Sequence, residues 1–158
     1  MQHRFVVDVN VGRLARWLRI MGYDTLFPSE SGDNELVRIA LKESRTLVTR
    51  DSGIVRRRAA RLGQMRVVHI KDDDLRGQLR QLVSELKLDF KSGFTRCICC
   101  NLALERAAKE EAAVRLPPYV LATQCNFMRC PQCLRLYWRG THWSNMKSEL
   151  ERAISEAL

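Results

Sequence analysis

Two aspartates in this chain follow short apolar runs at positions where carboxylates can meet. Phe5-Val6-Val7 leads into Asp8, with Asn10 close behind, and Thr46-Leu47-Val48-Thr49 leads through Arg50 into Asp51. Runs this short and β-prone read as buried parallel strands, whose carboxyl ends open onto a common crevice in an α/β sheet. Two carboxylates at one sheet edge repel unless a cation lies between them. Mg²⁺ or Mn²⁺ suits such oxygen donors and supports attack of water on a phosphodiester. Asp8 and Asp51 are therefore the expected ligands, with Asp33 as a third acid of the same cluster. Around them, Thr49 is placed to orient a ligating water, Asn10 to donate to a phosphate or carboxylate oxygen, and Arg50 to support the edge.

A second constellation follows in the sequence. Cys97-Ile98-Cys99-Cys100 and Cys130-Pro131-Gln132-Cys133 each contain a C-x-x-C turn, and two such turns can close a tetrahedron of thiolates around zinc. The expected ligands are Cys97, Cys100, Cys130 and Cys133. Cys99 and Cys125 read as bystander thiols, and His142, between Thr141 and Trp143, reads as a surface or packing residue. Neither a Ser-His-Asp arrangement nor a glycine-rich phosphate loop is present.

The elements that must position these groups alternate. Val11, Leu14, Ala15, Leu18 and Met21 recur at helical spacing, with Gly22 as a stop. Arg13, Arg16 and Arg19 fall largely outside that stripe, either as a solvated face or as a row that tracks phosphates. Tyr23–Phe27 reads as a second strand. Asp33 precedes Leu36, Val37, Ala40 and Leu41, which makes it an N-cap candidate as well as a cluster acid. After the Thr46–Thr49 strand, Ile54, Val55, Ala59 and Leu62 predict one short helix carrying Arg56, Arg57, Arg58 and Arg61. Arg66–Ile70 is a fourth strand, and Asp72–Asp74 open a helix through Leu86, where the helix dipole favours acids. This alternation predicts a parallel sheet flanked by helices over residues 1–92, with a boundary at Lys91-Ser92-Gly93. Residues 93–158 form the cysteine module, with a helix over Leu102–Val114, a break at Pro117-Pro118 and a terminal helix from Ser144. Its aromatics Tyr137, Trp138 and Trp143 interleave with Arg135, Arg139 and Lys147, which fits either base stacking or packing of a small core.

Composition bounds the partners. The 158 residues are 46% hydrophobic and 28% charged, as expected of a folded chain, and 27 Lys and Arg against 18 Asp and Glu give a net charge of +9. That balance favours a polyanion as partner. No signal-peptide core and no run of membrane-spanning length are apparent, so an intracellular, cytoplasmic protein is the expectation. Six cysteines in a reducing compartment point to metal ligands or thiols before disulfides.

The same residues resemble a known family. Phe5-Val6-Val7-Asp8-Val9-Asn10, Gly12–Arg19, Gly22–Thr25, Asp33 before Glu35-Leu36, and Leu47–Asp51 are similar to the PIN-like Mut-seven C-terminal RNase domain. The paired C-x-x-C turns followed by Tyr137-Trp138, Gly140 and His142-Trp143 extend the resemblance over nearly the whole chain. It implies a PIN-like α/β fold with a zinc ribbon, and a metal-dependent ribonuclease site with Asp8, Asp33 and Asp51 as its acids. RNA is then the partner, with Arg13, Arg16, Arg56 and Arg57 as candidate contacts, and a homodimer is compatible because PIN-like domains often pair. The usual fourth PIN acid has no clear counterpart, with Asp72–Asp74 as the available stand-ins. Two rival readings remain: a silent scaffold whose zinc ribbon binds RNA, and small-molecule phosphoryl chemistry. Asn10 in place of a second acid argues against the latter.

Overall fold

The computed structural model describes residues 3–90 and 94–155. Four strands form a parallel sheet in the order β2-β1-β3-β4, with β1 Arg4–Val7, β2 Asp24–Leu26, β3 Thr46–Thr49 and β4 Val67–His69. The central pair is in register with Val7 opposite Val48, and β3 pairs Thr49 with His69. Strand alternation divides the core. Phe5, Val7 and Val48 face α1 (Gly12–Ile20) and α5 (Leu75–Leu86), whereas Val6 and Leu47 face Leu36 and Ala40 of α2 (Asp33–Glu43). Each fully buried aliphatic side chain in these layers contributes about 1.5–3 kcal/mol by leaving water.

α1 buries Leu14, Ala15, Leu18 and Ile20 and leaves Arg13 and Arg16 exposed, as the periodicity predicts. Gly22 closes it at φ 92°, a conformation that favours glycine. Arg19 departs from the expected solvated row. Its guanidinium turns inward and donates to the carbonyls of Thr25, Ile98 and Cys99.

Three further expectations are corrected. The N-cap position of α2 is Gly32, and Asp33 is the first helical residue. Between β3 and β4 lie two short helices in place of one, α3 (Ser52–Val55) and α4 (Arg58–Arg61). Arg57 separates them in extended backbone at ψ 147°, and its side chain reaches back to Asn34 Oδ1 at 2.6 Å. The stretch expected as a helix over Leu102–Val114 instead forms β5 (Glu105–Ala107) and α6 (Lys109–Ala113). Here tertiary pairing overrides helix propensity: Arg129 binds both Glu105 and Glu111, while Ala107 and Ala112 pack with Phe127.

β5 belongs to a second, antiparallel sheet, β5-β6-β7, with β6 Phe127–Arg129 and β7 Leu136–Tyr137. Pro118 starts α7 (Pro118–Thr123), where its missing N–H costs nothing. The terminal helix α8 (Thr141–Ser155) begins three residues before the expected Ser144, so His142 and Trp143 lie in its first turn. α8 returns to the parallel sheet's layer, with Leu150 buried in the same cluster as Leu79 and Leu82 of α5. The expected boundary at Lys91-Ser92-Gly93 lies outside the described residues. No described helix is long and apolar enough to cross a membrane.

Candidate active site and metal centre

Asp8 directly follows β1, and its N–H donates to Val48 O at 2.9 Å, which extends the ladder by one residue and fixes the turn. The side chain is 6% exposed, more deeply set than a simple strand-end reading implies. Thr49, fully buried at the end of β3, donates its hydroxyl to Asp8 Oδ2 at 2.6 Å. Thr49 Oγ1 in turn accepts the Asp51 N–H at 2.9 Å. Thr49 therefore joins the two strand ends rather than standing free to orient a water. Asp51, half-buried, caps α3 by accepting the Gly53 N–H at 2.6 Å.

Neither Asp8 nor Asp51 forms an ion pair among the described residues, although arginines surround the edge. Both side chains offer carboxylate oxygens, the donor type that hard divalent cations take. The half-exposed carboxylate of Asp33, at the start of α2, is 3.7 Å from Arg57 Nη2. Arg56 is turned onto its own helix, with Nη2 2.8 Å from Ser52 Oγ.

Asn10 Oδ1 accepts the Arg50 N–H at 3.2 Å, which ties the loop after β1 to the end of β3. The Arg50 guanidinium pairs with Asp73, and His69 Nε2 lies 3.2 Å from the Arg50 carbonyl. Of the other stand-ins, Asp74 caps α5 through Gly77 N at 3.0 Å, and Asp72 lies over Gly77, where a Cβ would come within 2.8 Å of its carboxylate. Asp73 is thus engaged in ion pairing and Asp74 in helix capping, whereas the Asp72 carboxylate only packs over Gly77.

The four cysteines converge as their spacing predicts. The Sγ atoms of Cys97, Cys100, Cys130 and Cys133 all lie within 4.8 Å of one another and could hold a metal ion. Among the described residues, no other set of three or more potential ligands gathers in this way. The two turns repeat one another. Cys97 O accepts from Asn101 N and Cys130 O from Leu134 N, both at 3.0 Å, and these two residues share left-handed φ values of 61° and 59°. Cys99 and Cys125 are exposed and outside the cluster, as is the exposed His142.

Burial pushes the Cys97 thiol up, but the Tyr137 hydroxyl and the Cys100 and Cys99 N–H groups outweigh it and bring the group down to about 6. For Cys100, burial and hydrogen bonds with Cys133 and Cys130 act together and push it up to about 12. Tyr137, raised by burial and by its contact with Cys97, stays a protonated donor. The surroundings of Cys97 thus favour its thiolate, and those of Cys100 its thiol.

Sequence reasoning missed the joint between the two sites. Asn101 Nδ2 donates to Asp24 Oδ1 at 2.8 Å, and its Oδ1 accepts the Thr25 N–H at 2.9 Å, so one side chain completes the free edge of β2. With Arg19 on the carbonyls of Ile98 and Cys99, this fastens the first cysteine turn to the parallel sheet. The available signal was Asn directly after the second cysteine of a turn, since Asn tolerates left-handed backbone. Arg45, 5% exposed, anchors the same region through both Asp24 oxygens and the Phe5 carbonyl. Burial raises the Asp24 carboxyl, but bonds from Arg45, Asn101 and Arg4 outweigh it and hold the group at about 2.

Fold and site together define an α/β protein with a four-strand parallel sheet, acids at one sheet edge and a four-cysteine cluster consistent with a zinc ribbon. The family model of the Mut7-C RNAse domain matches residues 3–150, and the chain belongs to that family. No curated protein and no solved structure matches it.

Proposed function

We propose that this protein is a metal-dependent ribonuclease. The observation that carries the reading is the arrangement of Asp8 and Asp51 on adjacent parallel strands, joined through Thr49 and without cationic partners among the described residues. Asp8 and Asp51 would hold Mg²⁺ or Mn²⁺, which supplies charge stabilisation for hydrolysis of a phosphodiester. Thr49 fixes the orientation of the Asp8 carboxylate. Asp33 acts from the outer side of the site, and the exposed Arg13 and Arg16, with Arg50, Arg56 and Arg57, hold the RNA backbone. Zinc occupies Cys97, Cys100, Cys130 and Cys133, where four thiolates match its preferred structural site. Its binding stabilises a module too small to rely on its core, by about 10 kcal/mol. The domain division at about residue 92 is part of this reading.

The test is cleavage of end-labelled single-stranded RNA in Mn²⁺ and in EDTA by the wild type and by an Asp8→Asn, Asp51→Asn double variant. Mn²⁺-dependent cutting that disappears in the double variant supports the proposal. One observation favours the alternative of a catalytically silent, RNA-binding scaffold: of the three candidate fourth acids, Asp73 pairs with Arg50 and Asp74 caps α5, so two are engaged away from the Asp8–Asp51 pair. That alternative gives RNA binding of equal salt dependence in both proteins and cleavage in neither.

A further inference from the structure

A cavity of about 700 Å³, within the range of ligand sites, opens between α1, α7, β7 and the start of α8. Arg16, Arg135 and His142 line it, and none of its lining residues is acidic. Arg16 and Arg135 are exposed and make no side-chain ion pair or hydrogen bond among the described residues. Tyr119 also lines it, 71% exposed on α7 despite its aromatic ring. Trp138 directly follows β7 and is held close to the chain at Gly140, where a Cβ would come within 2.8 Å of Nε1.

The other aromatics of the module are committed elsewhere. Tyr137 is 5% exposed with its hydroxyl 3.2 Å from Cys97 Sγ, and Trp143 packs under Arg139 and Lys147. Phe94 and Tyr137 also line the cavity but are buried, which leaves the exposed Tyr119 and the half-buried Trp138 as its more accessible rings. A positively lined cavity with aromatic faces matches the chemistry of a base carried on a phosphate backbone.

A second cavity lies on the side of α1 nearer the acidic edge. Arg13 lines a smaller cavity of about 380 Å³ with Val9, Asn10 and the ion pair of Arg50 and Asp73. Arg16, one turn further along α1, lines the larger one. Side chains three residues apart on a helix are neighbours, about 5–6 Å apart at Cβ, so the two arginines form a continuous cationic step between the cavities.

We propose that this cavity is a nucleotide subsite. It takes a base of single-stranded RNA against Tyr119 and Trp138 and an adjoining phosphate on Arg16 and Arg135, while the strand crosses α1 to the Asp8–Asp51 edge. The inference rests on RNA being the substrate, and its test separates the two claims. Binding of a fluorescein-labelled ten-nucleotide uridine RNA is measured by anisotropy on the full, zinc-loaded chain carrying Asp8→Asn and Asp51→Asn. Adding Tyr119→Ala weakens binding about tenfold, and Tyr119→Phe restores it to within about twofold. Arg16→Ala and Arg135→Ala each reduce the slope of log K against log salt by about 0.7, whereas Arg152→Ala on the outer part of α8 leaves it unchanged. Superimposable curves for Tyr119→Ala and both arginine variants overturn the subsite, which is also the outcome if the cavity serves a protein partner. If these variants weaken binding but the wild type never cuts RNA in Mn²⁺, the subsite stands and the ribonuclease falls. If the wild type cuts and the variants leave its KM unchanged, the ribonuclease stands and the subsite falls.

Discussion

Thr49 Oγ1 lies 2.6 Å from Asp8 Oδ2, and through the Asp51 N–H, 2.9 Å away, it links the ends of the two central strands. A buried hydroxyl used as both donor and acceptor leaves little freedom to either neighbour. Threonine ends the strand as a β-branched residue suited to it and at the same time orients the first acid.

Thr49→Val keeps shape and β propensity but removes the hydroxyl, leaving the Asp51 N–H without its acceptor. Such a loss costs about 1–3 kcal/mol, measurable as a lower denaturation midpoint in urea. RNA cleavage in Mn²⁺ falls at least tenfold, and Thr49→Ser recovers most of both.

Gly53→Ala separates position from stability. A Cβ at residue 53 would lie 2.9 Å from Asp51 Oδ1, at the movable end of that side chain. The carboxylate shifts away, so cleavage drops severalfold. Alanine's better helix propensity offsets part of the lost cap, and the unfolding free energy changes by less than about 1 kcal/mol. Equal activity in the variant would detach Asp51 from the chemistry.

The Asp24 network gives a pH dependence of defined sign. Its folded pKa of about 2 is below the ordinary 3.8. The stabilisation is therefore fully present above pH about 4 and is lost as pH falls toward 2. Asp24→Asn lowers stability at pH 7 by about 1–3 kcal/mol, since Arg45 keeps Glu43 at 2.7 Å as a partner. The difference between wild type and variant shrinks as pH falls from 4 toward 2, as followed by chemical denaturation at each pH.

Metal removal reaches beyond the cysteines. Protein purified without added metal contains one zinc per chain, and stripping it with a chelator at neutral pH destabilises the module. Because Asn101 accepts the Thr25 N–H, amide exchange at Thr25 on β2 accelerates as well. Cys97→Ser reproduces both effects. Unchanged exchange at Thr25 in the stripped protein would show that the joint holds without metal.

Much of this architecture is legible from residue types. Phe5–Val7 and Thr46–Thr49 are unmistakable as strands because they are apolar, short and followed by acids, and C-x-x-C spacing alone brings four thiols together. The misreadings share a cause. Glu105–Ala107 has helical propensity but is held as a strand by Arg129 from a segment over twenty residues away, and Arg57 breaks a helix to reach Asn34. The inward turn of Arg19 likewise depends on carbonyls some eighty residues later, which no local period encodes. The pairing of Thr49 with Asp8 lay in between: both residues were visible, but their contact depends on the register that sets Val7 against Val48.

The most direct measurement is a Mn²⁺ titration followed by electron paramagnetic resonance on zinc-loaded protein, comparing the wild type with the Asp8→Asn, Asp51→Asn double variant. The account predicts a Mn²⁺ site in the wild type that the double variant lacks, while zinc content stays at one per chain in both. Equal Mn²⁺ binding by the two proteins, or none by the wild type, would contradict a divalent-cation site at the ends of β1 and β3.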